Sequence, residues 1–145
     1  MFSKAGRGVV TQNQRLKKSA NSRAAKTFLL VRCLAWSTVW DYERPRCVSL
    51  MDPDSDDSYV RHRSNTYLYL DLEFRTVYLP KFRMDASFIL HSWYPGHFAF
   101  QSVNVPSKYI RLHTDGFLKI DTDAANPAYK GSTSFKVHAS MTYCK

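Results

Sequence analysis

No stretch of the 145 residues holds the roughly 20 consecutive apolar side chains that a membrane-spanning helix needs. The opening segment, Met1 to Ala20, carries charges but no apolar core, so it does not read as a secretory signal. No G-x-S-x-G elbow, P-loop or dinucleotide fingerprint is present, which leaves the commonest hydrolase and nucleotide-binding classes without their motifs. Cysteine is scarce: Cys33, Cys47 and Cys144 form no C-x-x-C pair and stand at no zinc-module spacing from a histidine. A Cys33–Cys47 disulfide is open to the chain in an oxidising compartment, with buried thiols as the default reading. Acids are missing before Asp41.

That last absence divides the charge. The formal net charge is +9, but residues 1–46 hold ten Lys/Arg against two acids, and residues 47–145 hold eleven against ten. The basicity belongs to the start of the chain, and the remainder has no overall positive field for phosphate. Neither a nucleic acid nor a membrane is therefore expected as a partner. Residues 1–24 carry Gly, Ser, Asn, Gln and basic residues with little periodicity, and read as a flexible basic leader. A short helix around Gln12–Ala25 is an option. An acid-poor start rich in Arg, Lys, Ser and Ala also has the composition of a transit peptide, and the start of an incomplete gene product would look the same.

What is present is β-structure. Aromatics are abundant, with Phe 9, Tyr 9 and Trp 3. The runs Tyr67–Asp71, Thr76–Leu79, Ser87–Leu90, Phe98–Val103, Tyr109–Leu112, Phe117–Ile120 and Ser134–Val137 are short. Each is rich in β-formers, and they are punctuated by Pro, Gly, Asp, Ser or Asn. Many short strands at close spacing predict a barrel or sandwich, and nothing after residue 47 has convincing helical periodicity.

An internal repeat sharpens this. Ser58–Asp71 lies over Lys108–Asp121 at an offset of 50 without a gap, and Tyr59, Arg61, Leu68 and Asp71 recur as Tyr109, Arg111, Leu118 and Asp121. After a three-residue shift, Asp85-Ala-Ser-Phe-Ile-Leu-His91 lies over Ser132-Thr-Ser-Phe-Lys-Val-His138. A fainter trace, Ala25-Lys-Thr-Phe-Leu-Leu30, resembles the step beginning at Ala86. One repeat of short strands cannot bury its sheet, whereas three repeats of four strands around an axis make a β-trefoil. The expected fold is all-β and β-trefoil-like over 25–145, with repeats at about 47–97 and 98–140. An incomplete or irregular first repeat is expected, represented by 25–46. An incomplete barrel would expose apolar edges and favour self-association.

These residues carry a family resemblance. Tyr-x-Arg-His, an alternating strand ending Leu-x-Leu-Asp, and then Asp-Ala-Ser-Phe resemble the arabinofuranosidase B carbohydrate-binding domain, carbohydrate-binding module family 42. Phe-x-Ser-Val-Asn-x-Pro-x-x-Tyr-Ile-Arg, from Phe100 to Arg111, is similar to that family's repeat opening. The likeness covers about 47–140 plus the trace at 25–30. It implies a β-trefoil that binds arabinofuranose side chains of plant polysaccharides and usually accompanies an arabinofuranosidase catalytic domain. It also implies an extracellular setting, although no signal peptide is visible. The family's two sugar-holding positions fall on His62 and Asp85. In the second repeat they fall on Leu112 and Ser132, so a second pocket would have to use His113, one residue on, with Tyr109.

The chemistry suits this assignment. A furanose presents vicinal hydroxyls, a carboxylate accepts two donors, and an imidazole donates or accepts. Tyr67 or Tyr59 would cover the ring. The competing reading makes His62 a residue of a basic loop and Asp85 a turn acid before a strand. Other features read as structural. Asp52, Asp54, Asp56 and Asp57 lack the Gly and Glu of an EF-hand and suit a solvated hairpin loop. His91, His97, His113 and His138 have no metal-ligand spacing, and His91 and His138 hold equivalent repeat positions. Trp93-Tyr-Pro-Gly96 reads as a turn, Trp36 and Trp40 as core, and Arg61 and Arg111 as partners of Asp71 and Asp121. No catalytic residue, metal or cofactor is expected. The alternatives are a protein-interaction domain with decayed sugar pockets, or a basic nucleic-acid or organelle protein.

Overall fold

The computed structural model describes residues 2–3, 9–12, 15–18, 28–73, 79–94, 96–122 and 135–137. Twelve short strands follow one another in three sets of four. The first set is β1 (Phe2–Ser3), β2 (Val9–Gln12), β3 (Arg15–Lys18) and β4 (Leu29–Arg32). The second is β5 (Cys47–Asp52), β6 (Ser55–His62), β7 (Leu68–Leu72) and β8 (Phe88–Tyr94). The third is β9 (His97–Ser102), β10 (Tyr109–Leu112), β11 (Leu118–Asp121) and β12 (Phe135–Val137). The outer strands of the sets pair antiparallel with those of the next: β4 with β5, β8 with β9, and β12 with β1. The inner strands form three hairpins, β2–β3, β6–β7 and β10–β11.

The last two hairpins are the same object at an offset of 50. Tyr59 faces Asp71 as Tyr109 faces Asp121, and His62 faces Leu68 as Leu112 faces Leu118. Their turns match bond for bond. Arg63 N donates to Tyr67 O at 3.1 Å as His113 N does to Phe117 O at 3.0 Å. Thr66 N donates to Arg63 O as Gly116 N does to His113 O. Left-handed backbone closes both turns, at Ser64 and Asn65 in one and at Gly116 in the other. The first hairpin has only residues 13–14 between its strands, so that set is irregular.

The core is threefold as well. Phe28, Phe88 and Phe135 follow Thr27, Ser87 and Ser134, and all three rings are buried. Leu16, Leu68 and Leu118, one from each hairpin, are buried in the same cluster. Each such side chain contributes about 1.5–3 kcal/mol by leaving water.

Several expectations need correction. The segment read as a flexible leader holds β1, β2 and β3 at its described positions. Arg15 pairs with Tyr69 of β7, and Leu16 is wholly buried. Leu79, placed in a strand from sequence, opens a helix, α1 (Leu79–Asp85), and residues 76–78 lie outside the described residues. Pro80 suits a first helical turn, where its missing N–H costs nothing, and Phe82 turns inward. Cys33 and Cys47 are joined by a disulfide rather than being buried thiols. Trp40 is 72 % exposed and is no core residue.

Candidate functional site

Three elements converge on a buried polar cluster: the end of β6 with His62, the end of α1 with Asp85, and the end of β9 with Ser102 and, in the turn after it, Asn104. Alternation along β6 sends Val60 and His62 to one face and Tyr59 and Arg61 to the other. Both His62 and Asp85 are fully buried. Asn104 joins them: its Nδ2 donates to Asp85 Oδ1 at 2.7 Å, and its Oδ1 lies 2.8 Å from His62 Nε2. His62 Nε2 is also 3.4 Å from Asp85 Oδ1. Ser102 Oγ donates to Asn104 Oδ1 at 3.1 Å and accepts from Val105 N at 3.2 Å, which fixes the turn.

The network sets the protonation of the imidazole. An amide oxygen only accepts, so His62 Nε2 carries the hydrogen. Nδ1 is then a bare acceptor, buried and without a hydrogen-bond partner. Burial lowers the His62 pKa below 6.5, outweighing the Asn104 hydrogen bond and the Asp85 charge, which raise it. The ring stays neutral.

Two cations hold Asp85. Lys81, one helical turn earlier on α1, brings Nζ to 3.0 Å from Oδ2, and Arg61 Nη1 lies 3.3 Å from the same oxygen. Arg61 also donates Nε to Asp71 at 2.8 Å, so it bridges two carboxylates, and its guanidinium lies over the Phe82 ring. The Lys81 side chain is 54 % exposed. It is the most exposed member of the cluster; Arg61 and Asn104 are partly buried, and His62, Asp85 and Ser102 are buried.

The structure therefore brings together His62 and Asp85, which lie 23 positions apart. It moves the two tyrosines away from a ring-covering role. Tyr59 is 3 % exposed and packs with Val31, Met51, Phe82 and Ala86. The Tyr67 ring is taken by Arg15 at 4.3 Å and Lys119 at 4.7 Å, with Phe117 edge-on. His113 is the repeat equivalent of Arg63. Where Arg63 forms an ion pair with Asp71, His113 brings Nε2 to 3.0 Å from Asp121 across its hairpin without a hydrogen bond. Arg111 pairs with the same Asp121, as the repeat predicts. Burial and then Lys119 lower the His113 pKa. Tyr109 packs obliquely on His91. These contacts fit architecture better than a second pocket, and Ser132 lies outside the described residues. Asn104 was missed from sequence, although Phe100–Arg111 contains it: Asn before x-Pro reads first as a turn residue.

Twelve short antiparallel strands, with this buried polar cluster among the described residues, define a small all-β domain. The chain belongs to the alpha-L-arabinofuranosidase B (ABFB) domain family, which matches residues 3–137. Among solved structures, an arabinofuranosidase complexed with arabinofuranosyl-alpha-1,2-xylobiose is similar at a TM-score of 0.66 and 19 % identity. A GH54 α-L-arabinofuranosidase soaked with a cyclic sulfate inhibitor is similar at 0.65 and 19 %. The match covers 90 % of this chain and only 27 % of each of those chains. The cytokine interleukin-36alpha is similar at a TM-score of 0.59 and 16 % identity, over 88 % of this chain and 83 % of that one. At such identities the likenesses show the fold alone. No curated protein sequence matches the chain.

Proposed function

We propose that this domain is a non-catalytic module that binds arabinofuranose side chains of a polysaccharide, on a β-trefoil frame whose repeats are the three sets of strands. The observation that carries the reading is the convergence of His62, Asp85 and Asn104 in one cluster. Asp85 offers carboxylate oxygens to vicinal hydroxyls, His62 Nδ1 is an acceptor awaiting a donor, and Asn104 fixes both groups in place. Lys81 is the movable part. Its side chain is half exposed, and when sugar hydroxyls replace its ammonium the buried Asp85 keeps Arg61 and Asn104 as compensating partners. Arg61 spans Asp71 and Asp85, which leaves no open cleft between two carboxylates of the kind glycoside hydrolysis uses. The Cys33–Cys47 disulfide favours an oxidising, extracellular setting.

Retention on arabinoxylan tests the reading. The parent should bind. Asp85→Asn keeps the shape of the side chain and should abolish retention with near-UV circular dichroism unchanged. Asn104→Ala should weaken binding about tenfold or more, since a hydrogen bond to a charged group is worth about 1.5–3 kcal/mol. Neither parent nor variants should release arabinose from an aryl arabinofuranoside. Failure of the parent to bind would favour the protein-interaction reading. If Asp85→Asn binds normally and His113→Ala does not, the site lies in the other repeat.

A further inference from the structure

We infer that the disulfide-closed loop 34–46 carries a second sugar contact, an aromatic platform of Trp40 and Tyr42 for pyranose units of the main chain that bears the arabinofuranose. Among the described residues these two are the exposed large hydrophobics, each 72 % accessible, and they stand two positions apart. Their exposure is not slackness. The Cys33–Cys47 bond closes the loop, and Val39 between its ends is buried. Ala35 N donates to Ser87 Oγ at 3.0 Å, Arg44 Nε donates to Trp36 O at 3.1 Å, and Arg44 pairs with Asp41 at 2.7 Å. A cross-linked loop thus holds two flat apolar rings in water, where burying them in the core would be favourable.

Position names the occupant. The loop borders the elements that carry the polar cluster: Thr38 Oγ1 lies 3.4 Å from Met84 Sδ, and Ser87 follows Asp85 by two residues. A ligand anchored by a side-chain furanose at Asp85 drags its main chain across the adjacent surface. A pyranose presents a face of C–H bonds that stacks on an aromatic ring and needs no charge. Platform and pocket would then read one branched ligand, main chain and branch together.

The inference rests on the sugar-binding reading, and the probes separate the two. Linear xylohexaose contains no arabinose, so it reports the platform alone. It should change tryptophan fluorescence equally in the parent and in Asp85→Asn, and should leave a Trp40→Ala/Tyr42→Ala variant silent. In that double variant, arabinoxylan affinity should fall about 5- to 10-fold while affinity for methyl arabinofuranoside stays at the parental value. Trp40→Phe, which keeps a flat ring, should restore most of the retention. A xylohexaose response that persists without Trp40 and Tyr42, or no response in the parent, overturns the platform whatever Asp85→Asn does. So does unchanged arabinoxylan affinity in the double variant, including the case where it instead loses contact with an arabinofuranosidase catalytic domain. Failure of the pocket shows separately, as Asp85→Asn binding methyl arabinofuranoside normally.

Discussion

His62 is an imidazole kept neutral by its surroundings. Protonating it would place a cation in a buried position near Arg61 and Lys81, and burial dominates the lowering of its pKa. The unfolded chain takes up its proton near pH 6.5, before the folded chain does, so the unfolded state binds more protons as pH falls. Stability is then full above about pH 6.5 and declines as pH falls toward the lowered folded value. The melting temperature should drop between about pH 7.5 and 5, and His62→Gln should flatten part of that drop. His113, shifted in the same direction, would keep the remainder. A variant with the same slope as the parent would mean that His62 does not titrate differently on folding. In the sequence, His62 and Asp85 were visible only because an ordered motif singled them out. Lys81 and Asn104 were not, since nothing local says that a helix would place Lys81 over Asp85.

Among the elements, the loop between Cys33 and Cys47 shows how spacing misleads. Trp36 and Trp40 stand four apart, a helical repeat, yet the segment is a chain of turns ending in a short 3-10 segment, Arg44–Arg46. Trp36 has the guanidinium groups of Arg32 at 5.1 Å and Arg44 at 5.7 Å from its ring, while Trp40 faces water. Helix α1 was hidden for the opposite reason: seven residues are too few to display a period, and β-like residues precede it. The disulfide closes a loop with a sequence separation of 14. Restricting the unfolded chain over that length is worth about 2–4 kcal/mol. Replacing both cysteines by serine should lower the urea-derived stability by that amount. A loss within about 0.5 kcal/mol would show that the packing of Val39 and the Ser87 contact hold the loop unaided.

For the whole molecule, the repeat was legible where motifs recur and illegible where only the shape recurs. Phe28, Phe88 and Phe135 could be aligned by eye. The hairpin β2–β3 could not, because its strands, Val-Val-Thr-Gln and the basic Arg-Leu-Lys-Lys, carry neither the Tyr-x-Arg nor the Leu-x-x-Asp spacing of the other two. Those basic residues have a use in the fold. Arg15 stacks on Tyr67 and donates Nε to the Tyr69 hydroxyl at 3.0 Å, so the basic start of the chain docks on the aromatic hairpin of the second set. β1 meanwhile pairs with β12, which ties the two ends of the described chain to one sheet edge. Removing residues 1–24 should therefore cost far more than trimming a tail. It deletes Leu16 from the main core, leaves β12 paired with β9 alone and strips Arg15 from the Tyr67 ring. Leu16→Ala alone should cost about 2–5 kcal/mol, as for other fully buried leucines. The truncated chain should lose cooperative urea unfolding and gain a tendency to associate through the exposed edge of β12. If residues 25–145 instead unfold as sharply as the full chain and stay monomeric, the first hairpin is an ornament on a fold complete without it.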